Sequence, residues 1–341
     1  MAAVRLVLYA SVLVAAALLA SLGSFWLAVR PPRLAIPSRP ADYRLAVEDV
    51  VIRADDGVRL AGWFLPRPGA PAVVLLHGYP AEKADLLPLA MALAPEFATL
   101  LVDQRYFGQS EGAATTLGFR ERGDLRRVLD FLDGRGAPAI GVFGFSLGGA
   151  VALLTAAEDP RIRAIAAYAP FADLRTLGRE LYGWMWLARY PFVEAMLLWS
   201  RLAFGADISR PSPAEAAARV TVPVLLVHSR QDEQIPFAHA ERLRAALAPN
   251  GRAELEIMAR GRHGELPAGF EGRLASFFRR ALASRTGGVE GNPARGPLPT
   301  GVEGNPARGP LPTGVEGNPA RGPLPTGVEG NPARGPLPTD S

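Results

Sequence analysis

The feature that most constrains the fold is the stretch 139–149, which reads Ala-Ile-Gly-Val-Phe-Gly-Phe-Ser-Leu-Gly-Gly. An apolar run ends there in a G-x-S-x-G pattern around Ser146, and a helix-forming sequence follows. Small residues two positions before and after the serine let a strand and a helix approach closely around a sharp turn. The turn presents the hydroxyl at a helix N-terminus, where the helix dipole favours developing negative charge. This pattern predicts that Ser146 is a nucleophile; the alternative is a glycine-rich turn with an incidental serine.

Strand-like and helix-like stretches alternate on both sides of this motif. An Asp-Gly turn at 56–57 predicts a hairpin over residues 45–65. Short apolar runs and amphipathic stretches then predict further strands at 72–76, 97–102, 139–143, 162–168, 222–227 and 253–258, and helices at 82–94, 116–133, 149–158, 237–247 and 269–283. The fold class is therefore α/β, with a mostly parallel sheet, right-handed crossovers and helices on both faces.

The amino terminus carries a separate apolar segment. Leu6 to Val29 is 24 residues without a charge, which as a helix is about 36 Å long and enough to cross the hydrocarbon core of a bilayer. We interpret residues 1–30 as a single-pass transmembrane anchor, with residues 6–29 in the membrane, and 31–44 as a Pro-rich linker. A cleaved signal peptide is the alternative. The arginine distribution leaves the side of the membrane on which the chain lies undetermined.

Charge and composition exclude several classes of function. Five arginines and one acid in residues 1–45 account for the formal net charge of +4, so the remainder is formally neutral. That balance gives no basic face for nucleic acid. The chain has no cysteine and only four histidines, and nothing in their spacing predicts a metal site. No cofactor is predicted.

The alternation of strands and helices breaks between residues 170 and 213. This insert contains three of the five tryptophans and several other aromatic residues. We interpret it as a helical lid over the carboxyl ends of the strands, where sheets of this kind bind ligands; helical core packing is the alternative. Its aromatic side chains, among them Phe171, Trp184 and Trp186, are candidate contacts for an apolar part of a substrate.

The carboxyl terminus is a tandem repeat. From residue 288 the sequence Gly-Val-Glu-Gly-Asn-Pro-Ala-Arg-Gly-Pro-Leu-Pro-Thr occurs four times in succession. Each 13-residue unit has too few apolar side chains to offset the chain entropy lost on folding. We expect residues 285–341 to be a disordered tail, which leaves 45–284 as the folded domain.

A serine nucleophile needs a base and a group that orients the base. In a sheet of this type the acid and then the histidine follow the serine in the chain. His263 lies in a glycine-flanked loop between the last strand and the last helix, and Asp232 follows the strand at 222–227. We therefore predict a Ser146-Asp232-His263 triad. Glu233 and Asp173 remain as rival acids.

An oxyanion hole requires two backbone N–H groups near the nucleophile. Leu147 directly follows Ser146 and supplies one. Tyr79, in the loop after the strand at 72–76, is the candidate for the other, and the preceding His77-Gly78 supplies the tight turn.

These motifs together resemble the α/β-hydrolase superfamily. The matching residues are His77-Gly78-Tyr79, Asp103-x-Arg105-x-x-Gly108-x-Ser110, Gly144-x-Ser146-x-Gly148-Gly149, Asp232-x-x-Ile235-Pro236 and Gly261-x-His263. The chain is similar in particular to membrane-anchored, serine-aminopeptidase-like and prolyl-oligopeptidase-like serine hydrolases. The resemblance implies an eight-stranded-type sheet with a helical lid. Two positions depart from the family pattern: Tyr106-Phe107 stands where glycine usually follows the arginine, and Ser229 stands where glycine often follows the histidine.

We therefore expect a serine hydrolase that cleaves carboxylic esters or thioesters through an acyl-enzyme. Its partners would be a small-molecule or lipid-like acyl substrate and the cell membrane. A peptidase or amidase with the same triad is the first alternative. The second is a catalytically silent, membrane-tethered binding protein with a hydrolase fold.

Overall fold

The computed structural model describes residues 1–283, and the predicted repeat tail lies outside them. Eight strands form one sheet in the order β1-β2-β4-β3-β5-β6-β7-β8. The pairs β1–β2 and β2–β4 are antiparallel and the others are parallel. The strands are β1 (Glu48–Arg53), β2 (Arg59–Leu65), β3 (Ala72–Leu76), β4 (Ala98–Val102), β5 (Ile140–Phe145), β6 (Ile162–Tyr168), β7 (Val224–Ser229) and β8 (Ala253–Met258). The predicted α/β class and the mostly parallel eight-stranded sheet are confirmed.

The sheet is covered on both faces by helices. The central strands β3 and β4 are buried along their whole length, as their uninterrupted apolar sequence predicts. The helices are α1 (Ala2–Val29), α2 (Leu87–Leu93), α3 (Glu121–Gly134), α4 (Leu147–Ala156), α5 (Leu174–Leu181), α6 (Arg189–Phe204), α7 (Pro213–Ala217), α8 (Ala238–Leu247) and α9 (Phe270–Leu282). The two faces give two apolar clusters, one around α3 and α4 and the other around α2 and α9.

Helix α3 begins five residues later than its sequence pattern predicts. The carboxylate of Glu121 accepts hydrogen bonds from the hydroxyls of Thr115 and Thr116 and from the backbone amides of Thr116 and Gly118. Because these groups bind the carboxylate, the residues before Glu121 form turns and not helix. Side-chain hydrogen bonds of this kind compete with the helical backbone.

The insert between β6 and α7 consists of helices α5 and α6 joined by a 3₁₀ segment, Gly183–Ala188. Helix α5 is capped by Asp173, whose carboxylate accepts the Thr176 amide at 2.6 Å. Helix α6 has its own small apolar cluster around Val193 and Leu197. The insert therefore packs as a separate helical layer against the sheet domain.

Helix α1 is the one helix in residues 1–283 that is long and apolar enough to cross a membrane, by length and composition alone. Its residues 2–20 are exposed, whereas Ser21, Phe25 and Val29 are buried on one face. That face packs on α6 of the insert: Trp199 Nε1 donates to Ser21 Oγ at 3.0 Å, and the Phe25 and Phe204 rings lie 5.8 Å apart. The carboxyl end of α1 thus belongs to the folded unit.

The segment that follows α1 is bound to the domain. The Tyr106 hydroxyl donates to Pro31 O at 2.7 Å, and the Arg33 guanidinium lies 4.8 Å from the Tyr106 ring centre. The Ile36 amide donates to Glu82 at 2.6 Å. Residues 31–44, which we interpreted as a Pro-rich linker, lie against the domain because several of their groups bind partners there.

Candidate active site

Ser146 occupies the sharp turn between β5 and α4. Its backbone angles are φ 50° and ψ −111°, a conformation that costs free energy for any residue with a side chain. The turn is possible because Gly144 and Gly148 have no side chains: a Cβ on Gly144 would lie 2.2 Å from the Gly148 carbonyl, and one on Gly148 would lie 2.4 Å from Leu76 O. The G-x-S-x-G sequence is explained by these two close approaches.

The backbone of Ser146 is held while its hydroxyl is left available. The Ser146 amide donates to Tyr168 O at the end of β6, at 2.8 Å. Within residues 1–283 the Ser146 hydroxyl has no hydrogen-bond partner. In ligand-free enzymes the hydrogen bond from nucleophile to base is often long and tightens when substrate binds.

The predicted acid and base are in direct contact. His263 Nδ1 donates to Asp232 Oδ2 at 2.7 Å, and both side chains are almost fully buried. This bond fixes the imidazole tautomer, so Nε2 is the nitrogen left free to accept a proton. The His263 ring lies 4.8 Å from the ring of Phe145, the residue before Ser146. The structure therefore brings all three predicted residues to the same end of the sheet.

The Asp232 carboxylate is held ionised by its hydrogen bonds. Burial alone would raise its pKa, but the bond from His263 and the amides of Ile235 and Gln234, at 2.7 and 2.9 Å, hold the pKa below its ordinary value. A charged, oriented carboxylate can stabilise an imidazolium on His263 during proton transfer.

The two rival acids have other roles. Glu233 accepts the backbone amide of His263 at 3.1 Å and does not contact the ring. Asp173 caps helix α5. The other three histidines have other partners: His77 bonds Gly78 O, His228 bonds Ile235 O and lies 3.8 Å from Asp232 Oδ2, and His239 bonds Glu180 of the insert. Burial lowers the pKa of each.

Ser229 and Tyr168 hold the loop that carries His263 in place, and neither was predicted from the sequence to do so. Ser229 Oγ donates to Gly261 O at 2.6 Å and accepts the Gln231 amide at 3.1 Å. Tyr168, at the end of β6, donates its hydroxyl to Glu265 O at 2.7 Å. In the sequence, Ser229 stands where the family often has glycine. That difference was the one sign that this side chain has a role. A serine there replaces the flexibility of glycine with a bond between the acid loop and the histidine loop.

The loop after β3 lies against the nucleophile. A Cβ on Gly78 would lie 3.2 Å from Ser146 Cβ, so only glycine lets the loop approach this closely. His77 Nδ1 donates to Gly78 O at 2.8 Å, and its Nε2 accepts the Gln104 amide at 3.0 Å. Within residues 1–283 the Tyr79 and Leu147 amides donate to no other protein group, so both remain available to an oxyanion.

The three aromatic lid candidates separate into two groups. Phe171 is buried in the apolar cluster beneath the insert. Trp184 and Trp186 lie on the 3₁₀ segment with 81% and 75% of their surface exposed, so neither lines an enclosed site in this structure. Chain position and aromatic character alone could not distinguish these environments.

One cavity, of about 1440 Å³, lies at the amino ends of the strands, beside residues 138–139, 221–223 and 251–254, and Ser146 does not line it. Ser146 lies at the carboxyl ends, where ligands bind to sheets of this type. Within residues 1–283 there is also no group of three metal-ligating side chains.

Two family models match the chain. The model for the α/β hydrolase fold matches residues 71–194, and that for the prolyl oligopeptidase family matches 134–274. An uncharacterized protein of Mycobacterium tuberculosis is 32% identical over 215 residues, which cover 60% of this chain and 68% of that protein. With the sheet order, these matches show that the chain belongs to the α/β-hydrolase superfamily.

Other relatives and solved structures agree on the superfamily. The uncharacterized protein YfhR of Escherichia coli K12 is 27% identical over 258 residues, covering 70% of this chain and 82% of YfhR. The Pyrococcus furiosus esterase Pf2001 superposes with a TM-score of 0.62 at 27% identity, covering 74% of this chain and 98% of the esterase. The acylaminoacyl peptidase of Pyrococcus horikoshii shares the fold, with a TM-score of 0.55 at 19% identity, over 72% of this chain and 43% of the peptidase. The esterase and the prolyl oligopeptidase model support a serine hydrolase in general terms, whereas the solved peptidase shows the fold alone.

Proposed function

We propose that this protein is a membrane-anchored carboxylic ester or thioester hydrolase that uses Ser146, His263 and Asp232. The observation that carries the proposal is the 2.7 Å bond from His263 Nδ1 to a buried Asp232 carboxylate, at the strand ends where Ser146 occupies a strained turn. A solvated loop carboxylate would have neither that burial nor that partner.

In the proposed reaction, His263 Nε2 takes the proton from the Ser146 hydroxyl as Oγ attacks the carbonyl carbon. The Tyr79 and Leu147 amides donate to the resulting oxyanion, and Asp232 stabilises the imidazolium. The imidazolium then gives its proton to the leaving alcohol or thiol, which departs and leaves an acyl-serine. Water attacks this acyl group with His263 again as base, and the acid and the free enzyme are released.

An ester is favoured over an amide by the similarity to the Pyrococcus furiosus esterase, which covers almost the whole of that protein. An apolar acyl group is favoured by the aromatic composition of the insert and by helix α1, which would keep the site at a membrane. The second candidate is a peptidase. It is supported by the prolyl oligopeptidase model, whose match over residues 134–274 includes all three proposed triad residues.

The test uses the full chain in detergent micelles or nanodiscs. It would be treated with a fluorophosphonate probe and assayed on p-nitrophenyl esters of graded acyl length, and on an ester and an anilide that share one acyl group. We expect labelling, ester turnover well above anilide turnover, and loss of both labelling and turnover in Ser146→Ala. In His263→Ala, turnover should fall by about 10⁴-fold or more.

A matched control is Ser11→Ala, which removes an exposed serine hydroxyl of α1 that is bonded only within the helix. This variant should behave as the unaltered chain. Anilide turnover equal to ester turnover would favour the peptidase. A folded chain that neither labels nor turns over any substrate, in micelles or in nanodiscs, would favour the silent binding protein and overturn the proposal.

A further inference from the structure

The insert exposes an apolar surface on the side of the domain from which helix α1 projects. This surface consists of Leu181, Trp184, Trp186, Leu187 and Tyr190, of which the two tryptophans are the most exposed. Leu198 and Leu202 extend it along α6. Monomeric soluble proteins rarely expose large apolar patches unless a partner covers them.

The contacts between α1 and α6 orient this surface. Ser21 of α1 meets Trp199 of α6, and Phe25, one turn later, meets Phe204. Because the contacts advance in the same order along both helices, α6 runs in the same direction as α1. The amino end of α6, with the 3₁₀ segment before it, therefore points towards the exposed part of α1.

The lengths place the surface at the level of a bilayer. The exposed residues 2–20 of α1 extend about 29 Å as a helix, which matches a hydrocarbon core of about 30 Å. Ser21 then lies at the membrane boundary, and so does Trp199, which is bonded to it. Tyr190 precedes Trp199 by nine residues, about 14 Å along α6 towards the same side. Because residues 2–20 of α1 are exposed and α6 does not cover them, the depth of Tyr190 below the boundary is at most this length.

The charges and residue types of the insert suit that environment. Several of its charged side chains are paired with one another: Glu194 binds Arg175 and Arg179, and Asp207 binds Arg175 and Arg201. The Arg189 guanidinium instead lies 5.2 Å from the Tyr190 ring centre, and an arginine near a membrane interface can extend its charged end to water. Paired charges cost less to bring near hydrocarbon than free ones. Tryptophan and tyrosine are enriched at membrane–water interfaces, where an apolar ring and a polar atom both find a suitable environment.

We infer that the segment Leu181–Tyr190 is a membrane-contacting surface that inserts into the leaflet next to α1. The partner is the lipid bilayer itself. The insert thus links the proposed site of Ser146 to the lipid surface. This position narrows the expected substrates to acyl esters that reside in that leaflet or partition into it. The inference rests on α1 spanning the membrane, as proposed above, but does not require the enzyme to be active.

The chain contains no cysteine, so each single cysteine that is introduced gives a unique site for a nitroxide label. We would label Trp184→Cys, Trp186→Cys, Leu13→Cys and Thr221→Cys, each in the full chain in phosphatidylcholine nanodiscs. Collision with dissolved oxygen and with a water-soluble nickel chelate would be measured by electron paramagnetic resonance. Leu13 is an exposed position of α1, and Thr221 is an exposed position at the amino end of β7, far from the insert.

We expect the oxygen-to-nickel collision ratio at positions 184 and 186 to lie between those at 13 and 221 and to exceed that at 221 several-fold. If the collision ratios at positions 184 and 186 equal that at 221 while position 13 has a ratio typical of lipid, the inference is overturned and the anchor is retained. A water-like ratio at 13 as well would refute the anchor. Low collision with both agents at 184 and 186 would mean that protein covers the surface, and would also overturn the inference.

Discussion

The hydroxyl of Ser229 donates a 2.6 Å hydrogen bond to the carbonyl oxygen of Gly261, which joins the loop of Asp232 to the loop of His263. We expect Ser229→Ala to lower kcat by about 10- to 100-fold with little change in KM, because the histidine loop loses its fixed position. Steady-state kinetics on a soluble ester would measure this.

The matched control is Ser110→Ala, which also removes a buried serine with one donated and one accepted bond, to Asp103 O and from the Ala61 amide. Both variants should lose stability by about 1–3 kcal/mol through an unsatisfied buried carbonyl. A fall in kcat of equal size in both would refute a positioning role for Ser229.

Asp232 should give the protein a pH-dependent contribution to stability. Its pKa in the folded state lies below the ordinary value, so its ionised form favours folding. This contribution is complete above the unfolded pKa of about 3.9 and is lost as the pH falls through the lower folded pKa. The stability advantage of the unaltered chain over Asp232→Asn should therefore shrink below about pH 4, as measured by denaturant unfolding in detergent.

At neutral pH, Asp232→Asn should also lower kcat by about 10⁴-fold, because an amide stabilises the wrong imidazole tautomer. Glu233→Gln is the control, since it keeps an acceptor for the His263 amide, and its kcat should change little. Equal losses in the two variants would contradict the assignment of Asp232 as the triad acid.

Gly78→Ala should damage catalysis without altering the chemistry of any side chain. The new methyl group would lie 2.6 Å from the Phe145 ring and 3.2 Å from Ser146 Cβ, so the loop that carries the Tyr79 amide must move away. Losing one oxyanion donor lowers kcat by about 10²- to 10³-fold, and a displaced donor should approach that value.

Gly134→Ala is the comparison for Gly78→Ala, because a methyl group on Gly134 would meet no other atom within 4 Å. It lies at the end of α3 and should leave kcat unchanged. If Gly78→Ala retains full turnover, then the Tyr79 amide is not an oxyanion donor.

Arg105 should be important for folding stability. It binds Asp124 through two nitrogens at 2.5 and 2.6 Å and Asp56 at 2.9 Å, and it is almost fully buried. Arg105→Met leaves Asp124 buried without its partner, which typically costs about 3–5 kcal/mol. Burial already raises the pKa of Asp124 to about 6. The loss should therefore be larger at pH 8, where the carboxyl is charged, than at pH 5, where it is protonated.

The double variant Arg105→Met/Asp124→Leu should recover part of that stability, because no buried charge remains. Arg127→Ala removes an exposed ion pair with Asp55 and serves as the surface control, with little effect on unfolding. A loss for Arg105→Met that is the same at both pH values would contradict the explanation.

Tyr106→Phe should release the linker while keeping the aromatic ring. The variant removes the hydrogen bond to Pro31 O but retains the packing of the ring against Phe107. We expect trypsin to cleave after Arg33, which precedes Leu34, faster than in the unaltered chain, with unchanged turnover of a soluble ester. Tyr190→Phe, which removes a hydroxyl from the insert, should leave cleavage in the linker unchanged. An unaltered cleavage rate in Tyr106→Phe would mean that other contacts hold the linker.

Local signals were sufficient to predict much of the fold. The strand at 72–76 is bounded as predicted because an uninterrupted apolar run has one stable environment, the centre of a parallel sheet. The turn at Ser146 follows from two glycines that no other residue could replace. The superfamily and fold class were confirmed. The identity of the triad stays a prediction, although the geometry around His263 is consistent with it.

The sequence could not reveal contacts between distant segments. The start of α3 depends on how the carboxylate of Glu121 is used, and the exposure of Trp184 depends on how the insert packs. In the sequence, Tyr106 stood out only because it replaces a glycine of the family pattern. Its φ of 75° explains why glycine suits the position. Its hydroxyl bonds Pro31 O, 75 residues earlier in the chain. Such effects arise from tertiary packing and have no local pattern.

The packing of α1 on α6 also bears on how the chain is processed. A leader peptide that is removed after export leaves behind a domain that folds without it. Here Ser21, Phe25 and Val29 are completely covered by the domain, and removing them would uncover the Trp199 and Phe204 side chains and leave the indole nitrogen without its acceptor. We therefore predict that a protease that cut after Val29 would leave a domain with newly exposed aromatic side chains and a tendency to aggregate.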